Sequence, residues 1–179
     1  MKRLLFTLAT CCVMCACEQK TEINPFFTEF QTEYGAPDFT KIRLEHYEPA
    51  FLKGIEEQNA EIKAIVDNPE EPTFENTIVA LDKSGGILAR VSGVFFALTE
   101  ADTNDSLTAL NEKMAPVLSE HSDNIYLNQD LYKRVADVHQ QEKEGKITLT
   151  TEQHRLLDKY YKASVSYTHL RAHETGAYL

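Results

Sequence analysis

Beyond residue 17 the sequence has no cysteine, because Cys11, Cys12, Cys15 and Cys17 all lie near its start. The rest of the chain can therefore build neither a disulfide framework nor a thiolate metal site. Positive charge is also scarce: 18 Lys and Arg stand against 28 Asp and Glu, for a net charge of -10. So acidic a chain repels nucleic acid and anionic lipid headgroups, which argues against a nucleic-acid partner. Phosphate loops are missing, since Ser84-Gly85-Gly86 lacks the Lys and Ser/Thr that would have to follow. No Gly-x-Ser-x-Gly elbow occurs, so a serine nucleophile has no recognisable frame. A repeat of solenoid length is absent too. After residue 40 no stretch alternates apolar and polar residues for long, and the expected fold class is all-α.

What is present at the start decides the compartment. Lys2 and Arg3 make a short positive head, Leu4 to Met14 is an apolar run, and Ala16 is a small residue of the kind cut by a signal peptidase. This is a secretory signal over residues 1–16, too short to span a bilayer stably. Cleavage after Ala16 would expose Cys17, whose thiol would take a diacylglyceryl thioether as in bacterial lipoproteins. The lipobox is imperfect, with Met14 and Cys15 ahead of Ala16, and a soluble secreted protein cut nearby is the alternative. Export with a lipid anchor implies a periplasmic or outer-membrane location and a membrane contact made through the lipid alone. Loss of Lys2 and Arg3 takes the net charge from -10 to -12.

Residues 17–40 read as a tether followed by an extended arm. Asn24-Pro25 and Gly35-Ala36-Pro37-Asp38 supply turns, and Phe26, Phe27, Phe30, Tyr34 and Phe39 are aromatics expected to dock on the body. From Leu44 the spacing of Tyr47, Phe51, Ile55, Ile62 and Val66 predicts a helix, with Pro49 in its first turn and Glu56, Glu57 and Glu61 on a solvated face. Asn68-Pro69-Glu70-Glu71-Pro72 ends it. Thr73 is a candidate cap for a second helix along Phe74, Ile78, Leu81, Leu88, Val91 and Phe95. Within that pattern Ser84-Gly85-Gly86 marks a kink or a close crossing, since each glycine costs a helix interior about 1 kcal/mol. Asp102, Asn104 or Asp105 would cap a third helix through Leu107, Leu110, Met114, Val117, Leu118, His121 and Ile125, bent at Pro116. Asn128 would cap a fourth through Leu131, Val135 and Val138, and Thr150 with Gln153 forms a capping box ahead of Leu156, Leu157, Tyr160 and Tyr161.

The stretch Val165-Ser166-Tyr167-Thr168-His169-Leu170-Arg171-Ala172-His173-Glu174-Thr175 departs from this pattern and resembles a read-through translation of a transposase library adaptor. Native sequence is accordingly expected to end near Ala163, with residues 164–179 a non-native tail. His173-Glu174 mimics the start of a zinc-peptidase motif, which requires a second histidine four residues after the first so that both imidazoles face one ion. Position 177 is Ala177. His46, His121, His139 and His154 stand apart in the sequence, so a metal site could be assembled from them only across helices, and His46 and His121 read instead as packing or hydrogen-bonding residues. No catalytic or metal-binding residue is expected in the chain. The carboxylates of Glu56, Glu57, Glu61, Glu70 and Glu71 read as exposed runs, not as acid/base pairs in a protected pocket.

Three runs carry a further signal: Ile42-Arg43-Leu44-Glu45-His46-Tyr47-Glu48-Pro49-Ala50-Phe51, Pro72-Thr73-Phe74-Glu75-Asn76-Thr77-Ile78 and Ala115-Pro116-Val117-Leu118-Ser119-Glu120-His121. In order and spacing they resemble the beginning of the thimet-oligopeptidase and peptidyl-dipeptidase family of zinc metallopeptidases, over roughly residues 24 to 163. The resemblance implies a truncated N-terminal helical lobe, residues 41–163, of a two-lobed zincin-type enzyme with a deep channel for short peptides. It implies Zn2+ in the full-length enzyme, held by H-E-x-x-H and a later glutamate that residues 1–179 do not contain. No catalytic role can be carried over to any residue here. The fragment alone is expected to bind no zinc and to be inactive. The competing reading is a small acidic all-α lipoprotein that serves as a binding module without enzymatic activity.

Overall fold

The computed structural model describes residues 23–176, with side chains through residue 166. Cys17 and the expected signal segment, residues 1–16, lie outside the described residues. Two single 3-10 turns, Pro25–Phe27 and Glu33–Gly35, precede six α-helices: α1 (Leu44–Val66), α2 (Ala80–Lys83), α3 (Gly86–Ala101), α4 (Asp105–Tyr126), α5 (Gln129–Lys143) and α6 (Thr151–Gly176). A π-helical turn, Phe74–Val79, runs directly into α2. There is no strand among the described residues, and the all-α expectation holds.

Side chains close the helix starts as the sequence indicates. Thr73 Oγ1 accepts from the Asn76 amide at 3.1 Å, while Asn76 Oδ1 returns to the Thr73 amide at 2.8 Å. Of the three candidate caps before α4, Asn104 does the work, accepting from the Ser106 and Leu107 amides. Asn128 caps α5 in the same way, and Thr150 and Gln153 exchange the two bonds of a capping box at α6. Each such cap is worth about 1 kcal/mol. Gly145, at φ +69, turns the chain after α5, as its left-handed backbone requires.

Several expectations need correction. α1 begins at Leu44, so Pro49 is its sixth residue and lies beyond the first turn; the Glu45 carbonyl loses its intrahelical donor there. Ser84-Gly85-Gly86 does not kink one helix but separates two, with Gly85 at φ +76 as the left-handed residue between α2 and α3. The arm docks through Phe26, which is fully buried, whereas Phe27, Tyr34 and Phe39 stay exposed. α6 continues through Ala163 to Gly176, so the sequence change near residue 164 is not a helix end.

The helices enclose two cores. One gathers Ile62, Ile65, Phe74, Ile78, Leu131, Val135, Val138 and Leu157, where the far half of α1 meets the π turn, α5 and α6. The other gathers Phe26, Tyr47, Phe51, Val91, Phe95, Leu107 and Met114, where the near half of α1 meets the arm, α3 and α4. Full burial of each such side chain stabilises the fold by about 1.5–3 kcal/mol. α1 is the shared wall. Arg134 of α5 fastens the 68–76 loop to this body, donating to the Asn68 carbonyl at 2.9 Å, the Glu70 carbonyl at 3.3 Å and Asn76 Oδ1 at 3.3 Å.

Candidate functional site

A cavity of about 350 Å³ opens near the α2–α3 break, where α1, α4 and α6 also converge. Its polar atoms form a connected set. Gln58 of α1 donates through Nε2 to Ser84 Oγ at 3.2 Å. Ser84 Oγ in turn donates to the Leu81 carbonyl at 2.8 Å. Gln58 Oε1 lies 2.7 Å from Nε2 of His121. A carboxamide oxygen can only accept, so Nε2 carries the proton. His121 is buried, and burial pushes its imidazole below the ordinary value toward the neutral form.

The glycine break has its own acceptor. The Gly85 amide donates to Glu61 Oε2 at 2.7 Å, which meets one of the orphan donors at the start of α3 with a full negative charge. A Cβ at position 85 would fall 2.6 Å from Gln58 Nε2, so glycine is needed there for space as well as for backbone angle. On the far wall the Tyr160 hydroxyl donates to Asp82 Oδ1 at 2.8 Å. Burial, then that carboxylate, drives the Tyr160 phenol far above its usual range.

Chemically this is a tie between helices. The Ser84 proton is committed to a carbonyl, and His121 faces an amide rather than a nucleophile. His46, His139 and His154 lie apart from it. His46 Nδ1 accepts from the Arg43 amide at 3.1 Å and helps start α1. His139 stacks on Tyr161 with ring centroids 3.9 Å apart, and burial lowers its pKa. His154 Nδ1 meets Glu142 Oε1 at 2.8 Å. Among the described residues no group of three or more His, Cys, Asp or Glu could hold a metal ion. None of their helices is long and apolar enough to cross a membrane.

Glu61 is exposed, as the sequence pattern places it, but that pattern did not show its bond to the Gly85 amide and gave Gln58 no role. A glycine at a helix start carries no capping side chain, so its amide needs an acceptor from elsewhere. That was the available signal, but nothing in the chain order points to a residue 24 positions earlier.

An all-helical segment tied in this way, with no hydrolytic constellation among its described residues, is the class that the geometry defines. Comparison with known proteins gives it a family. The chain is 43% identical over 145 residues to the dipeptidyl carboxypeptidase of Escherichia coli (strain K12), an alignment that covers 81% of this chain and 21% of that protein. It is 42% identical over 142 residues to the dipeptidyl carboxypeptidase of Salmonella typhimurium, covering 79% and 21%. Against oligopeptidase A of Escherichia coli it is 27% identical over 135 residues, covering 75% and 19%. No family profile matches. The chain is thus homologous to peptidases of the thimet oligopeptidase family, and it spans about a fifth of the length of these relatives.

Proposed function

We propose that residues 41–163 are the N-terminal helical lobe of a zinc metallopeptidase that releases dipeptides from the free carboxyl end of short peptides. The 43% identity to a dipeptidyl carboxypeptidase along 145 residues is the observation that carries this reading. Zinc would sit in another part of the full-length protein, since the described residues offer no fitting donor set. The lobe's contribution is to bind and confine peptide at the channel, with no bond made or broken by its own side chains. Cys17 is the lipid-bearing residue. It holds the enzyme at a membrane outside the cytoplasm, where nutrient or signal peptides are broken down.

The test starts at the locus. The open frame should run past codon 163, free of adaptor sequence, into H-E-x-x-H. Its product should release the terminal dipeptide from an amino-blocked tetrapeptide and lose that activity to a chelator, while the 179-residue chain stays silent. Tight stoichiometric zinc binding with hydrolysis by the 179-residue chain would overturn the reading. So would a native stop soon after codon 163, which would favour a small helical binding module.

A further inference from the structure

The outer side of α3 lacks the charge that the rest of the molecule carries. Between residues 84 and 99 Arg90 is the one charged residue, and its guanidinium is already turned to the Phe26 carbonyl at 2.7 Å. An exposed helical stripe is normally polar or charged. Here it consists of Ala89, Gly93 and Ala97 at four-residue intervals, all exposed. Beside it the arm adds Phe30, Pro37 and Phe39, and together these residues, with Glu29 and Arg90 as the charged members of the lining, bound a groove of about 560 Å³. Phe39 is 57% exposed and Tyr34, at the tip of the same arm, is 96% exposed. A Cβ on Gly93 would meet nothing within 4 Å, so the small side chains on this side are not required by the domain's own packing.

We propose that this groove is the seat of an α-helix from the remainder of the full-length polypeptide, presenting apolar side chains between the arm and α3. The inference rests on the functional reading above. About four fifths of each relative lies outside the aligned segment, and so large a remainder needs a surface on this one to pack against. The shape fits a helix. Side chains of one or no carbon at four-residue spacing let a second backbone approach closely, and the flanking aromatics form walls for its ridge. A bilayer would favour apolar groups on a convex face and would be repelled where anionic by this acidic chain, whereas the groove is concave.

Cysteine accessibility tests the assignment, because no cysteine lies beyond residue 17, and Cys11, Cys12, Cys15 and Cys17 are replaced by Ser throughout. Gly93→Cys and Ala97→Cys are made in the 179-residue chain and in the full-length product of the same locus, with Lys133→Cys on α5 as the exposed reference. The expected result is maleimide labelling at 93 and 97 slowed about tenfold or more in the full-length protein. Labelling at 133 should be equal in both, and the slowing should be independent of protein concentration and of added phosphatidylcholine vesicles. Equal rates at 93 and 97 in the two proteins overturn the proposal. Slowing seen only as concentration rises assigns the groove to a second copy, and slowing seen only with vesicles assigns it to lipid; either also overturns it. A locus that ends near codon 163 removes the functional reading and this one together, and the nucleotide sequence reveals that before any labelling is done.

Discussion

Gly54 of α1 and Leu88 of α3 set how closely the two longest-packed helices cross: a Cβ at position 54 would lie 2.7 Å from the Leu88 amide nitrogen and 2.9 Å from its Cα. Those are backbone atoms and cannot turn aside. Gly54→Ala should therefore force α1 from α3, and overpacking costs more than the helix propensity gained. A loss of about 1–3 kcal/mol in urea unfolding is expected. An unchanged or raised midpoint would show that the crossing is looser than described.

The Tyr47 hydroxyl is the reverse case. It is buried among Phe26, Phe51 and Phe95 with no hydrogen-bond partner, and burial raises its pKa. Removing an unpaired buried polar group removes a desolvation cost. Tyr47→Phe should leave stability unchanged or raise it by about 1 kcal/mol. A marked loss would mean that the hydroxyl has a partner in solution.

Acid should weaken the fold through His121. Its pKa is held down by burial, so between the folded and unfolded values the unfolded chain binds more protons. Stability then falls as pH drops through about 6.5, the ordinary histidine value. The urea midpoint should be lower at pH 5.5 than at pH 7.5. His121→Gln keeps a donor for Gln58 and should narrow that difference, leaving the part due to His139, whose pKa is also lowered. An identical difference in the variant would clear His121 of the effect.

Much of the helical framework could be read from the chain because its starts are written locally. Thr73, Asn104, Asn128 and Thr150 each bond to an amide two or three residues away, and local contacts leave local patterns. Arm docking was legible at Phe26 and, in part, at Phe30, which packs against the same core. The exposure of Tyr34 and Phe39 depends on which neighbours happen to face them, and aromatic spacing carries no such information. Gln58, Glu61 and Gly54 were opaque for the same reason. Their partners His121, Gly85 and Leu88 lie 63, 24 and 34 positions away, and nothing in the spacing on α1 distinguishes a solvated glutamate from one aimed at another helix. The family resemblance was legible in three short blocks and agrees with the identity found to the dipeptidyl carboxypeptidases.

The grip of Arg134 on the 68–76 loop has a consequence for the order in which the molecule takes shape. Its guanidinium reaches back 66 positions to Asn68. A ribosome emitting about 5–20 residues each second would need several seconds to deliver the clasp after the loop it holds. Until then the passage from α1 to the π turn has only its own caps to guide it. Nascent chains stalled before codon 134 should thus be nicked by protease at Pro69–Pro72, and those stalled well beyond it should resist.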